Sequence, residues 1–143
     1  MSKKTIWITG GSTGIGKALA IKFASKNWNV AVSARRVELL NDLSNSYENI
    51  SCFPLDVSDK EKCKEVFTEI KNKFENIDIC FFSTGTWDPK KEKDIDLEQM
   101  QNVFQINFFG TVNCIKAVEQ YFRDKRNGII TIVSSIAGYR GLP

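Results

Sequence analysis

The sequence predicts an α/β protein built on a doubly wound parallel sheet that stops after its fifth strand. Short apolar strands alternate with helical patterns from the first residues onward, as in a parallel sheet covered by helices on both faces. A glycine-rich turn joins the first strand to the first helix. The run Ile77 to Phe82 is continuously apolar, which is typical of a strand buried on both faces. We expect a single domain over residues 1–143.

The individual elements follow from hydrophobic periodicity and from turn residues. The predicted strands are Thr5–Thr9, Val30–Ser33, Ile50–Phe53, Ile77–Phe82 and Ile129–Val133. The predicted helices are Gly14–Lys26, Glu38–Leu43, one opened by a capping box of Ser58 and Glu61, and Leu97–Arg123. A polar loop is expected from Thr84 to about Asp94. The third helix should bury Cys63, Val66, Phe67, Ile70 and Phe74, and the last helix carries an apolar stripe of Phe104, Phe108, Val112, Ile115, Val118 and Phe122.

Composition argues against several kinds of partner. The net charge is +3 with basic residues spread along the chain, so we expect no nucleic-acid partner, which would need a concentrated basic surface. The chain has no histidine and no C-x-x-C, so we expect no metal site. The apolar or helical surroundings of Cys63, Cys80 and Cys114 predict buried, reduced thiols, as in a cytoplasmic protein. No apolar run approaches the length of a membrane span, so we expect no membrane partner.

The glycine-rich turn is Thr9-Gly10-Gly11-Ser12-Thr13-Gly14-Ile15-Gly16. Gly10 permits a sharp exit from the strand, Gly14 would let a pyrophosphate approach the backbone, and Gly16 would let the helix lie close to the sheet. The free N–H groups of the helix N-terminus would then bind the phosphates. The alternative is a turn that needs glycine only for its geometry. The glycine-rich turn lies between a predicted strand and a predicted helix, and this position favours dinucleotide binding over the alternative.

The spacing of this turn resembles the T-G-x-x-x-G-x-G pattern of the short-chain dehydrogenase/reductase family, which Thr9, Gly10, Gly14 and Gly16 match. The resemblance covers essentially the whole chain. It implies a Rossmann fold and an NAD(P)-dependent oxidoreductase that transfers a hydride between the cofactor and a small carbonyl or alcohol substrate. It also implies cofactor contacts from the turn, at Gly10, Ser12, Thr13, Gly14, Ile15 and Gly16. For the whole enzyme we expect a homo-oligomer.

Three further matches concern single residues. Asp56, followed by Val57, matches the family aspartate that contacts the adenine ring; its alternative is a turn or capping residue. Asn107 matches the N-x-x-G asparagine that holds a water for proton relay, and its aromatic neighbours predict that it is buried; its alternative is a solvent-facing helix residue. Ser135 aligns with the catalytic serine that orients the substrate oxygen; its alternative is a serine that merely ends a strand. The resemblance therefore makes Ser135 and Asn107 the candidate catalytic residues.

The sequence departs from the family where N-N-A-G is usual after the fourth strand. Phe82-Ser83-Thr84-Gly85 stands there. Only the glycine is retained, although the Ser83 hydroxyl can donate and accept hydrogen bonds. We expect Ser83 and Gly85 to contact the cofactor.

The segment Ala34-Arg35-Arg36 bears on the choice of cofactor. Ala34 occupies the position where an acidic residue would bind the ribose 2′-OH of NAD, and a guanidinium can bind a 2′-phosphate through two parallel hydrogen bonds. The alternative is a basic pair at a helix start. We expect Arg35 and Arg36 to select NADP(H), with NAD less favoured. The second basic residue of such enzymes is replaced by Thr13, so we expect incomplete discrimination.

The family's chemistry also needs a tyrosine with a lysine four residues later, beyond the serine. After Ser135 the only tyrosine is Tyr139, and Pro143 stands four residues after it. We therefore expect the chain to be incomplete at its C-terminus and inactive alone. A non-catalytic NADP-binding sensor or regulatory module is the alternative function. Another doubly wound nucleotide- or flavin-binding protein is disfavoured by the joint match of the turn with Asp56, Asn107 and Ser135.

Overall fold

The computed structural model describes residues 3–87 and 96–140 and contains one five-stranded sheet in the order β3-β2-β1-β4-β5. Its strands are β1 (Thr5–Thr9), β2 (Asn29–Ser33), β3 (Ile50–Cys52), β4 (Ile79–Phe82) and β5 (Ile129–Ile132). Every neighbouring pair is parallel. The chain runs outward from β1 to β3 and then crosses to the other side of β1, so the strand order reverses between β1 and β4. The predicted doubly wound parallel sheet is confirmed.

Within residues 3–87 and 96–140, five α-helices join the strands: α1 (Gly14–Ala24), α2 (Val37–Ser46), α3 (Lys60–Phe74), α4 (Leu97–Val103) and α5 (Gly110–Lys125). A π-helical segment, Phe104–Phe109, links α4 to α5, and a short 3₁₀ turn, Ile136–Gly138, follows β5. Among the described residues, no helix is both long enough and apolar enough to span a membrane.

Successive side chains of each strand point to opposite faces of the sheet, so the hydrophobic core is divided between the two faces. Ile6 and Ile8 of β1 are buried on one face against α1 and α2, for example against Ala20 and Leu40. Trp7 is fully buried on the other face, which α3 and α5 cover. Its indole N–H donates to Ser33 Oγ at 2.9 Å, so the polar atom of this large apolar side chain is satisfied. Burial of such a side chain stabilises the fold by about 1.5–3 kcal/mol.

The expected capping box at Ser58 and Glu61 is wrong. Asp59 is the N-cap of α3, and its carboxylate accepts from the Lys62 N–H at 2.9 Å. Ser58 instead donates its hydroxyl to Asp56 Oδ1 at 2.7 Å. Two competing side chains explain the difference: a carboxylate stands one residue closer to the helix, and Asp56 takes the serine hydroxyl. The predicted apolar face of α3 is confirmed, with Phe74 only partly buried.

The continuous helix predicted from Leu97 to Arg123 is wrong in its middle, because the π-helical segment interrupts it. A wider turn changes which residues face the sheet. The buried line is Ile106, Gly110, Cys114 and Val118. Phe104 and Phe108 of the expected stripe are 59% and 56% exposed, and Val112 is exposed too. Asn107 is also exposed, so the prediction that it is buried is wrong.

The remaining boundaries differ by a few residues. The helix α1 ends at Ala24 because the chain turns through Asn27, whose φ is 63°, and α2 continues past Leu43 to Ser46. Cys63, Cys80 and Cys114 are buried free thiols, as expected, and Cys52 is half-buried. The second half of the predicted loop, residues 88–95, lies outside the described residues, as does Pro143.

Candidate functional site

A cavity of about 550 Å³ lies where the carboxyl ends of β1, β2 and β4 meet, together with the loop after β3. This is the edge at which open α/β sheets bind ligands, beside the reversal of strand order. The structure brings all the expected cofactor contacts to its wall: Gly10, Ser12, Thr13, Gly14, Ile15, Gly16, Arg35, Arg36, Asp56, Val57, Ser83 and Gly85. Ala34, Leu55, Thr84, Thr86 and Ile106 complete the lining.

The glycines of the turn are required for different reasons. A Cβ on Gly10, whose φ is +70°, would lie 2.8 Å from the backbone oxygen of Ser83, and a Cβ on Gly16 would overlap the backbone oxygen of Gly10. Close packing alone therefore excludes a side chain at these two positions. Gly14 also has a positive φ, +56°, but a Cβ there would meet no atom within 4 Å. A Cβ at Gly14 would therefore occupy open space at the rim of the cavity, which is the space a ligand would use.

The N-terminus of α1 presents backbone donors beside the cavity. Thr13 is its N-cap residue, but the Thr13 side chain does not cap the helix, and the first turn contains no acidic residue. The first N–H groups of a helix have no partner within it. Together with the helix dipole they favour an anion at this point. The residues present therefore fit the phosphates of a dinucleotide.

The arginine pair extends this positive site along the turn. Arg36 Nη2 donates to Thr13 Oγ1 at 2.9 Å and to Ser12 Oγ at 3.2 Å. A guanidinium thus lies against the residue that stands in place of the family's second basic residue. Arg35 lies on the same wall, where its positive charge favours the ionised form of Asp56.

Asp56 also lies on the cavity wall and shapes its own turn. Its Oδ1 accepts from the Ser58 N–H at 2.9 Å and from the Ser58 hydroxyl at 2.7 Å. Burial acts to raise the pKa of Asp56, but the two hydrogen bonds from Ser58 and the charge of Arg35 together hold it below its ordinary value. Both bonds go to Oδ1, and none from the described part of the chain goes to Oδ2, which can therefore accept from a ligand. Asp56 therefore has the turn role of the alternative interpretation and also lines the cavity, while its contact with adenine stays a prediction.

The segment after β4 contributes hydroxyl groups. Ser83 Oγ donates to the Thr9 backbone oxygen at 2.7 Å, which ties the ends of β4 and β1 together. Thr84 Oγ1 is buried and has no hydrogen-bond partner among the described residues, although Thr84 lines the cavity. Leaving a buried hydroxyl unpaired costs about 1–3 kcal/mol, so a polar ligand fits here. Sequence analysis missed Thr84, and its only signal was a hydroxyl residue directly after a buried strand.

Asn107 does not line the cavity but holds one of the segments that do. Its Oδ1 accepts from the Thr86 N–H at 2.7 Å, and its Nδ2 donates to the Thr86 oxygen at 2.9 Å. The carboxamide thus clamps the segment after β4 to the π-helical segment. Its exposed surroundings match the solvent-facing alternative, while both of its polar groups are used for positioning.

Ser135 lies after β5 and is not part of the cavity wall. Its hydroxyl oxygen accepts from the Ala137 N–H at 3.1 Å and caps the 3₁₀ turn. This is the local role expected of a serine that ends a strand. Tyr139 follows the same turn and is 94% exposed. Among the described residues, no hydrogen bond joins Ser135, Asn107 and Tyr139 to one another.

A Tyr-x-x-x-Lys sequence does occur in α5, at Tyr121 and Lys125. The Tyr121 hydroxyl accepts from the Ile77 N–H at 2.9 Å, and Lys125 Nζ lies 3.6 Å from an Asp78 oxygen. Both partners precede β4, whereas the cavity lies beyond the carboxyl end of that strand. Tyr121 and Lys125 therefore bind the chain at the amino end of β4, at the end of the sheet away from the cavity.

Comparison with known proteins agrees with this architecture. A family model described as short chain dehydrogenase matches residues 4–143. The NADPH-dependent 1-acyldihydroxyacetone phosphate reductase of Schizosaccharomyces pombe is 33% identical over 96% of this chain and 46% of its own length. The Dehydrogenase/reductase SDR family protein 7-like of Dictyostelium discoideum is 30% identical over 96% of this chain and 47% of its own length.

Among solved structures, "ElxO with NADP Bound" superimposes with a TM-score of 0.90 and 31% identity, covering 99% of this chain and 59% of that one. The chain spans about half the length of the curated relatives it matches. The match of the family model to nearly every residue, together with this fold, shows that the chain belongs to the short-chain dehydrogenase family.

Proposed function

We propose that residues 1–143 are the cofactor-binding Rossmann domain of an NADP-dependent oxidoreductase that transfers a hydride between NADP(H) and a small carbonyl or alcohol substrate. The observation that carries the cofactor choice is Arg36, whose guanidinium lies within hydrogen-bond distance of Ser12 and Thr13 at the rim of the cavity. No acidic side chain stands at the position of Ala34 to bind a ribose hydroxyl. NADPH, when bound, supplies the hydride.

The residues of the chain divide the work of holding that cofactor. The N-terminus of α1 and the open space at Gly14 would receive the pyrophosphate. Arg36, supported by Arg35, would bind the 2′-phosphate. Asp56 and Val57 would contact the adenine. Thr84 and Gly85 would contact the nicotinamide half, since the unpaired Thr84 hydroxyl has no other partner among the described residues.

The relatives support this assignment. The relative from Schizosaccharomyces pombe is described as NADPH-dependent and as a reductase, and the ElxO structure is described as having NADP bound. A nicotinamide-dependent reductase accepts a substrate carbonyl and must deliver a proton to its oxygen. We propose that neither Tyr121 nor Tyr139 donates this proton, because Tyr121 bonds to Ile77 at the end of the sheet away from the cavity and Tyr139 is 94% exposed.

A non-catalytic NADP-binding module is the second candidate. It is favoured by the Ser135 hydroxyl, which caps the 3₁₀ turn at 3.1 Å and does not face the cavity. The two candidates differ in what happens when a longer chain is tested, since a sensor would bind NADPH without consuming it.

NADPH oxidation with a panel of aldehydes and ketones tests the proposal. The chain of 143 residues is compared with one extended by a family-like C-terminal segment that supplies a Tyr-x-x-x-Lys. We expect turnover only from the extended chain, and loss of that turnover in its Ser135→Ala variant. Turnover by the short chain that vanishes in Tyr139→Phe would show that the acid has been misplaced. Tight NADPH binding with no turnover by either chain would favour the sensor.

A further inference from the structure

Two buried thiols face each other across the contact between α3 and α5. Cys63 Sγ and Cys114 Sγ are 4.0 Å apart, although the residues are 51 positions apart in the sequence. Both side chains are fully buried, and both are free thiols. The other two cysteines lie elsewhere: Cys52 contacts α2 through the Leu40 oxygen, and Cys80 is within β4. The pair takes no part in the proposed hydride chemistry.

We propose that Cys63 and Cys114 form a redox modification site at which a peroxide-class oxidant closes a disulfide, and that closing it weakens cofactor binding in the neighbouring cavity. The second half of this statement rests on the proposed function. The first half is independent of it.

The chemistry assigns a different role to each sulfur. Cys63 is the fourth residue of α3, and a position near a helix N-terminus favours a thiolate, whereas the nearby carboxylates of Asp59 and Asp56 disfavour it. The hydrogen bond from the Cys114 thiol lowers the pKa of Cys63, while burial acts against this. The Cys63 thiolate attacks one peroxide oxygen, the O–O bond breaks, and a sulfenic acid and hydroxide form. Cys114 then attacks the sulfenic sulfur and expels its oxygen as water. The two thiols lose two electrons and two protons, and one peroxide becomes two waters.

Closing the bond requires the two sulfurs to approach each other. A disulfide has an S–S length of about 2.05 Å, so the present separation of 4.0 Å must shorten by about 2 Å. A buried, close-packed interior transmits such a shift to its neighbours. The neighbour in question is the loop that carries Asp56 and Val57.

Both helices hold that loop at the same backbone oxygen. Cys63 Sγ donates to the Val57 oxygen at 3.6 Å, and Asn113 Nδ2, one residue before Cys114, donates to it at 3.0 Å. Gly110 of α5 packs so closely on Val57 that a Cβ at Gly110 would overlap the Val57 side chain. Oxidation removes the thiol proton of Cys63 and moves α3 relative to α5. Val57 lines the cavity, so the disturbance reaches the cofactor site directly.

The test treats the chain with hydrogen peroxide, maps disulfides by peptide mass spectrometry without reduction, and titrates NADP⁺ by calorimetry before and after. We expect a Cys63–Cys114 cross-linked peptide, the loss of two hydrogens from the intact mass, and a roughly tenfold weaker NADP⁺ affinity. Reduction with dithiothreitol should restore the original mass and the original NADP⁺ affinity. Because linkage is reciprocal, saturating NADP⁺ should shift the equilibrium between dithiol and disulfide, measured in a glutathione redox buffer, toward the dithiol.

Cys52→Ser is the matched control, because its thiol lies on the other face of the sheet and it should oxidise and respond as the unmodified chain does. Cys63→Ala and Cys114→Ala should each abolish the cross-link and the affinity change. If either variant fails to fold, the shift that NADP⁺ causes in the dithiol–disulfide equilibrium of the unmodified chain still decides the coupling. Cys63 and Cys114 remaining unlinked after oxidation would overturn the site. A mapped disulfide with unchanged NADP⁺ affinity would overturn the coupling. If the reduced chain does not bind NADP⁺ at all, both the coupling and the proposed function are wrong. In that case the mapped disulfide alone still decides whether Cys63 and Cys114 form a redox site.

Discussion

Arg36 Nη2 donates a hydrogen bond to Thr13 Oγ1 at 2.9 Å, which joins the start of α2 to the glycine-rich turn. The sequence places these residues 23 positions apart, and Thr13 stands where the family's second basic residue is expected. The contact shows that a guanidinium reaches that position from the neighbouring strand-to-helix connection. One arginine thereby supplies positive charge at the place where the sequence lacks it.

Replacing Arg36 with alanine should therefore weaken NADP⁺ binding and leave NAD⁺ binding nearly unchanged. A hydrogen bond to a charged group contributes about 1.5–3 kcal/mol, which corresponds to a loss of roughly tenfold to a hundredfold in affinity. Arg36→Lys should give an intermediate loss because it keeps the charge and loses the planar fork. Arg35→Ala should reduce the preference for NADP⁺ over NAD⁺ less than Arg36→Ala does. The control is Lys22→Ala, at the exposed end of α1, which should leave both affinities unchanged. Equal losses of NADP⁺ and NAD⁺ affinity in Arg36→Ala would contradict the assignment.

The glycines of the turn should separate folding from binding. Gly16→Ala should lower the free energy of unfolding by about 2 kcal/mol or more, because its Cβ would overlap the backbone oxygen of Gly10. Gly14→Ala should lower it less, by about 1–2 kcal/mol of backbone strain, but should reduce NADP⁺ affinity because the methyl group enters open space at the cavity rim. Urea unfolding and calorimetry measure the two effects. Gly138→Ala is the neutral control, because a Cβ there would meet no atom within 4 Å. Full cofactor affinity in Gly14→Ala would argue against a phosphate beside Gly14.

Asn107 should act by positioning the segment after β4. Asn107→Ala removes both hydrogen bonds to the Thr86 backbone. Each is exposed, so we expect a loss of only about 1 kcal/mol in the free energy of unfolding. Exchange of the Thr86 amide hydrogen should accelerate more than that of other amides in the same chain. Gln105→Ala, an exposed change in the same π-helical segment, should leave the Thr86 amide protected, and identical exchange in the two variants would remove the positioning role.

The exposed apolar surface of the isolated chain should promote association. Phe104, Phe108, Phe109 and Val112 form an exposed apolar surface on the π-helical segment and α5, and Ile129 of β5 is 56% exposed. Contiguous apolar surface and strand edges favour contact between molecules. Light scattering should show concentration-dependent growth in mass, reduced by the double substitution of Phe108→Ser and Val112→Thr. A stable monomer at high concentration would contradict this expectation.

Local patterns predicted most of the fold because turn residues separate the strands and most of the helices bury an apolar face, although α4 buries no residue. The sequence-predicted β1 agrees in both bounds, and all expected cofactor contacts line one cavity. The failures arise where two side chains compete or where geometry departs from a regular helix. Asp59 competes with Ser58 for the helix cap, and the π-helical segment moves Asn107 to the surface.

Other features depend on contacts between distant parts of the chain. The reach of Arg36 to Thr13 depends on how β2 and α2 lie beside α1, which no local pattern states. Tyr121 and Lys125 match a catalytic spacing by sequence, and only the fold shows that they support the far edge of the sheet. The proximity of Cys63 to Cys114 requires the packing of α3 on α5. These relationships are tertiary, so sequence spacing cannot predict them.

Calorimetric titration of the unmodified chain with NADP⁺ and, separately, with NAD⁺ tests the central claim most directly. The two dinucleotides differ only in the 2′-phosphate that Arg35 and Arg36 are proposed to bind at the wall of the cavity. We predict saturable binding of one NADP⁺ per chain, with an affinity at least roughly tenfold above that for NAD⁺, as expected for about 1.4 kcal/mol of added interaction. Equal affinities for the two cofactors, or no binding of either, would contradict it.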